Sequence, residues 1–294
     1  MQKRAQAGGI DRSAAERSFV FQLARAYNRR RKETPMFKRI LNLVALTCLV
    51  AVTLWAADDP FLGKWKLNID KSQITGEQMK IQDLGNNKYT ISWGATPTTI
   101  IADGTDQPDR YGGTVSIAPE GANAWKMVVK KDGKVVDSMT HTLSADGKTQ
   151  TIKGTAYKPD GATSDFETNM KRVGSGSGWG GTWESTDVKF TSPDEWEISA
   201  YEGGGLTFTT PAYKEVLSMK FDGKDYEDKG PNVAPGSMAS GKRVDTHNLE
   251  VTNKVKGEVM DHTKFRVSSD SKTLTLTIKE TGQPNPITLV YDRI

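Results

Sequence analysis

The feature that most narrows the folds open to this chain is an internal duplication. Phe61-Leu62-Gly63-Lys64-Trp65-Lys66-Leu67 opens a segment that ends on Met170-Lys171-Arg172-Val173, and Gly180-Gly181-Thr182-Trp183-Glu184 opens a second that ends on Val290-Tyr291-Asp292-Arg293-Ile294. Between these ends, Asp132-Gly133-Lys134-Val135-Val136-Asp137 aligns with Lys256-Gly257-Glu258-Val259-Met260-Asp261 at an offset of 124 residues. Leu143, Asp146, Lys148 and Thr149 then fall over Val267, Asp270, Lys272 and Thr273 without a gap. A unit of about 115 residues exceeds a solenoid repeat and suits one small domain. Two copies of one fold are therefore expected, at 58–173 and 179–294, joined by the Gly/Ser stretch 174–178, whose composition reads as a flexible linker.

From Asp58 on, the hydrophobic period is two. Lys88-Tyr89-Thr90-Ile91-Ser92-Trp93, Trp125-Lys126-Met127-Val128-Val129 and Leu274-Thr275-Leu276-Thr277-Ile278 alternate apolar with polar over strand-length runs. Asp132-Gly133, Asp146-Gly147 and Asp160-Gly161 follow one another at intervals of 14 residues. Asp-Gly favours tight hairpins because both central positions must accept positive φ. Hairpins at that spacing, without long crossovers, describe an antiparallel meander, and a one-sided meander of eight or nine strands removes its edges by closing on itself. The expected fold class is all-β: two tandem up-and-down antiparallel barrels.

Gly-x-Trp on the first strand with Arg on the last resembles the calycin superfamily of lipocalins, fatty-acid-binding proteins and avidins, and the opening at Phe61 is especially similar to fatty-acid-binding proteins. The chain also resembles exported bacterial lipocalin-like proteins of unknown function. The resemblance implies that Trp65 with Arg172, and Trp183 with Arg293, close one end of each barrel. A guanidinium over an indole is worth roughly 0.5–2 kcal/mol. Two departures count against lipid-carboxylate binding. No helical lid follows either first strand, and Leu289-Val290-Tyr291 stands where those proteins carry Arg-x-Tyr.

Ahead of the repeats, residues 1–35 carry nine Lys/Arg against three acidic side chains and are expected to be a basic, non-globular extension from a mis-assigned start. Met36-Phe37-Lys38-Arg39 and the apolar run to Ala57 read as a signal peptide over 36–57, so the protein is expected to be exported to the periplasm or beyond. Uncleaved, the same segment would be the chain's one membrane contact. Of 40 basic and 36 acidic residues, 29 and 33 remain from Asp58 on, so a net charge of +4 becomes about −4. With no basic face left from Asp58 on, nucleic acid is not expected as a partner, the alternative being that residues 1–35 are a real basic arm for nucleic acid or anionic membrane. The lone cysteine, Cys48, lies inside the apolar run, leaving no thiol for disulfides, metal or catalysis beyond it.

Six tryptophans follow Asp58. If the strand residues among them point inward, Tyr89, Trp93, Trp125, Met127, Trp196, Tyr201 and Phe208 line an apolar pocket; otherwise they fill the cores. Asp103, Asp106 and Asp109 match Asp222, Asp225 and Asp228 at an offset of 119, a weak Ca²⁺ pattern beside its plainer reading as solvated turns. His141, His247 and His262 share no position between the copies; His141 falls over Phe265 and His262 over Ser138, so each reads as structural or superficial. No nucleophile elbow, metalloprotease helix or phosphate loop appears, and no cofactor is implied. The leading expectation is a non-enzymatic binder of a small apolar or amphipathic molecule in one or both barrels. The alternative is an interaction module of the cell envelope with filled barrels, and a hydrolase ranks third.

Overall fold

The computed structural model describes residues 59–294 except Ala95, Ser192 and Pro193, so the basic extension and the proposed signal peptide lie outside the described residues. The chain is all-β, in two ten-stranded antiparallel sheets. Strand β1 (Gly63–Leu67) comes first. Ten consecutive strands then form barrel one: β2 (Gln78–Asp83), β3 (Lys88–Ser92), β4 (Thr98–Ile101), β5 (Gln107–Pro108), β6 (Thr114–Pro119), β7 (Ala124–Lys131), β8 (Lys134–Leu143), β9 (Thr149–Tyr157), β10 (Thr163–Ser177) and β11 (Gly180–Phe190). Barrel two follows with β12 (Glu195–Tyr201), β13 (Gly205–Thr210), β14 (Glu215–Met219), β15 (Asp222–Lys229), β16 (Ser237–Arg243), β17 (Asn248–Val255), β18 (Glu258–Val267), β19 (Thr273–Glu280) and β20 (Ile287–Arg293). Its tenth strand is β1, which closes the barrel by pairing with β12 on one side and β20 on the other.

The opening strand of each repeat thus sits in the other barrel. Trp183 on β11 lies opposite Arg172 on β10, and Trp65 on β1 lies opposite Arg293 on β20. This corrects the expected pairing: Arg172 stacks on Trp183 and Arg293 on Trp65, both at 4.1 Å from guanidinium carbon to ring centroid. It also moves the expected boundaries by one strand, to a continuous barrel one and a barrel two that draws on both ends of the chain. The reason lies in the Gly/Ser stretch, which is not a flexible linker. It is the end of β10 and its hairpin into β11, with Ser177 opposite Gly180. Arg172 holds that hairpin by donating to the carbonyls of Gly147 (2.9 Å), Gly178 (2.6 Å) and Gly180. Arg293 plays the same part in barrel two, donating to Pro60 (2.6 Å), Leu62 and Ser271.

The glycine of each Gly-x-Trp has a physical reason. Gly63 and Gly181 have φ of 135° and 139°, and a Cβ on either would collide with the guanidinium that covers the neighbouring indole. Each indole N–H also donates four residues back, Trp65 to Phe61 O (2.9 Å) and Trp183 to Trp179 O (3.0 Å). Between β7 and β8, Asp132 and Gly133 both take positive φ, the twist-matched two-residue turn expected of Asp-Gly, and Lys256-Gly257 repeats it in barrel two.

The sheets differ at one seam. In barrel two, β14 and β15 keep two register pairs, Val216 with Lys229 and Leu217 with Asp228. In barrel one, the corresponding strands β4 and β5 are the two edges of the sheet. The Gln107 side chain spans them instead, accepting from Ile101 N–H (2.8 Å) and donating to Ile101 O (2.7 Å).

Candidate functional site

The strand registers align the two interiors residue by residue. Trp196 lies opposite Trp65 as Met79 lies opposite Trp183, and Phe208 opposite Ile198 as Ile91 opposite Ile81. Phe265 pairs with Leu276 as His141 pairs with Ile152, and Leu274 pairs with Tyr291 as Gln150 pairs with Met170. In barrel two, four aromatic rings occupy this layer. Trp196 lies 6.1 Å from Phe208, 6.1 Å from Phe265 and 5.4 Å from Tyr291, and Phe208 lies 5.7 Å from Phe265. Such centroid distances are ordinary packing, and the middle of that barrel is filled. Barrel one offers Met79, Ile91, His141 and Met170 at the same four places. Its aromatic bulk has moved to the Arg172 end, where Trp125 stacks on Trp179 at 4.0 Å and Tyr89 meets Trp125 edge-on at 4.8 Å.

The consequence is a cavity of about 600 Å³ in barrel one. Ile117, Met127, Met139, Ile152 and Phe166 supply its apolar wall. Its mouth is shared between the barrels. Trp93 and Tyr111, each 45 % exposed, stand on barrel one's side, and Glu258–Asp261 and Glu280 stand on the other. Arg110 spans this rim, donating to Glu258 at 2.9 Å.

The mouth is acidic and partly desolvated. Burial raises the Asp137 carboxyl to about 6. Burial, with Glu77 and Asp261 nearby, raises Glu280 to about 7. Deeper in, His141 lines the cavity and is 2 % exposed, and Gln150 is 1 % exposed. Both ring nitrogens of His141 and both amide atoms of Gln150 are buried without a hydrogen-bond partner. Burial lowers His141 to about 4, against the opposing pull of the nearby Gln150 amide, which is not in bonding geometry. The imidazole is neutral at pH 7, with one donor and one acceptor nitrogen.

The seven residues expected to line a pocket therefore divide. Met127 and Trp93 face the cavity, Trp93 at its rim. Trp125 and Tyr89 pack at the closed end beyond it. Trp196 and Phe208 belong to the filled core of barrel two. Tyr201 lies off the inward parity of Trp196 and Ile198, on the outer side against Gly205, away from the cavity lining. His141, Gln150, Asp137 and Glu280 were missed. The signal for the first two was present in the duplication, as His over Phe265 and Gln over Leu274 at inward positions.

Five of the six aspartates of the calcium pattern are bonded to separate partners. Asp103 accepts from Thr105 (2.6 Å), Asp106 from Lys130 (2.7 Å) and Asp109 from the backbone of Tyr111 and Gly113 (2.8 Å each). Asp222 accepts from Tyr226 (3.1 Å) and Asp225 from Lys254 (2.6 Å), while Asp228 is half-buried. Among the described residues, no three His, Cys, Asp or Glu side chains are grouped to hold a metal ion. No family model matches the chain, and no curated protein or solved structure is significantly similar to it.

Proposed function

We propose that this protein is a non-enzymatic binder that holds one small apolar or amphipathic molecule in barrel one, with barrel two serving as its filled structural counterpart. The observation that carries the reading is the cavity of about 600 Å³ at a layer that barrel two fills with four aromatic rings. That volume lies within the range of small-molecule sites, and an apolar wall with a few polar groups is their usual composition. The reading includes membership of the calycin group, supported by the Gly-x-Trp glycines and the arginine stacked on each indole. Export through the segment 36–57 belongs to it as well, and sequencing the amino terminus of the secreted protein tests that part.

Titration with the neutral fluorophore N-phenyl-1-naphthylamine tests the binding itself. One probe per chain is expected, and Met139→Trp, which places an indole in the cavity, should abolish the signal while the far-ultraviolet spectrum stays unchanged. Two probes per chain, or one that Met139→Trp leaves in place, would remove barrel one from the role.

A further inference from the structure

We infer that the cavity of barrel one selects a neutral amphiphile whose hydroxyl or carbonyl end enters first and bonds to His141, behind which Gln150 lies buried. This rests on the binding function proposed above and names the class of ligand. The floor carries the argument. Four buried nitrogen and oxygen atoms on His141 and Gln150 lack partners, in a position where the other barrel uses Phe265 and Leu274. A small rotation could join the two side chains through one hydrogen bond. It would still leave one ring nitrogen and half the amide unsatisfied, because together they carry several donors and acceptors. An unpaired buried polar group costs about 1–3 kcal/mol, so a fold that needed only packing here would do better with the apolar pair it already uses in barrel two. A hydroxyl, which donates and accepts, complements a neutral imidazole.

The rest of the lining decides the ligand's charge. Asp109, Asp137, Glu258, Asp261 and Glu280 face the cavity or its mouth, while Arg110 is the one cationic lining residue among the described residues and is already bonded to Glu258. His141, neutral on the floor, is not a cation to receive an acid. A carboxylate would have to pass an acidic rim and then lose its hydration in an apolar barrel, so alkanols are favoured over alkanoates.

The experiment is calorimetric titration of the full chain at pH 7.5 with 1-octanol, octanoate and n-octane, repeated on the double variant His141→Phe, Gln150→Leu. Octanol is expected to bind about tenfold more tightly than octane, the worth of one well-made hydrogen bond, and octanoate more weakly than octanol. The double variant should keep octane binding and lose octanol's advantage. A single variant, His141→Leu, smaller than the phenylalanine, guards against the double change closing the cavity. It should lower octanol affinity while octane is unaffected. If octane and octanol bind the parent equally, the polar floor is not a recognition site although the cavity binds. If octanoate binds tightest, the neutral-ligand inference falls. If none of the three binds, the binding function falls with it.

Discussion

At the Arg–Trp end the two barrels are nearly superimposable in chemistry, with the same glycine, the same indole bonded four residues back and the same guanidinium over its face. One layer inward they differ. Barrel two packs Trp196, Phe208, Phe265 and Tyr291 around its axis, whereas barrel one places smaller or polar side chains there and leaves room. The seam between the fourth and fifth strands follows the same division, laddered in barrel two and spanned by the Gln107 side chain in barrel one. After a duplication, one copy can keep a filled interior that supports the whole while the other gives up packing for space. Deleting buried aromatic volume typically costs several kcal/mol, so hollowness of this kind needs a compensating use.

The comparison breaks most visibly if the barrels are cut apart. Because barrel one is continuous, residues 72–191 are expected to fold alone with a cooperative melt. Residues 174–294 lack β1 and should stay poorly ordered until a peptide of residues 59–67 is added. Dispersion of amide resonances distinguishes these outcomes, and a well-folded 174–294 would disprove the strand exchange. Next in size, Trp65→Ala and Trp183→Ala should each destabilise by about 3–5 kcal/mol, but in opposite places. Hydrogen exchange should rise in β12 and β20 for the first and in β2 and β10 for the second. Loosening of β10 by Trp65→Ala would restore the pairing expected from the sequence.

Transplanting barrel one's floor into barrel two, as Phe265→His with Leu274→Gln, should cost about 3–4 kcal/mol in denaturant unfolding, from lost volume plus unpaired polar atoms. A smaller loss would mean that barrel two is less tightly filled than its rings suggest. The smallest effect concerns pH. Glu280, raised from 4.5 to about 7, binds a proton in the folded chain that the unfolded chain has released. Its contribution to stability is complete below about pH 4.5 and is lost as pH rises through 7. His141, lowered from 6.5 to about 4, acts in the opposite sense, its contribution disappearing as pH falls through 4. The useful measurement is the difference in melting temperature between Glu280→Gln and its parent at pH 5 and pH 7.5. The parent should lose more stability across that interval, and identical changes would show that Glu280 titrates normally.

Much of the fold was legible in the residues. Alternation marked the strands, Asp132-Gly133 marked a tight hairpin, and the repeated ends marked two barrels. The strand exchange was not legible, because Trp65 and Trp183 carry the same motif and so do Arg172 and Arg293; either pairing satisfies the pattern. The Gly/Ser stretch was misread because composition reports flexibility while the hydrogen bonds from Arg172 decide the outcome. The cavity was half legible. Counting aromatics on inward positions cannot tell a stack at the closed end, such as Trp125 on Trp179, from a lining. Comparing the two copies position by position can, since His141 and Gln150 stand out only beside Phe265 and Leu274.

The exchange of opening strands also fixes the order in which the protein can be completed. Of the twenty described strands β1 leaves the ribosome first and its neighbour β20 last, and Arg293 reaches back 231 residues to Leu62. Barrel one can close once β11 has emerged, while barrel two must wait for β20, which brings the Arg293 cover to Trp65. Contacts of such long sequence separation are slow to form, so the filled barrel is the late one. The backbone bond from Ile294 N–H to Lys64 O (3.0 Å) also brings the last residue beside the first strand. A circular permutant joined there and opened between β1 and β2 would translate each barrel as one uninterrupted meander.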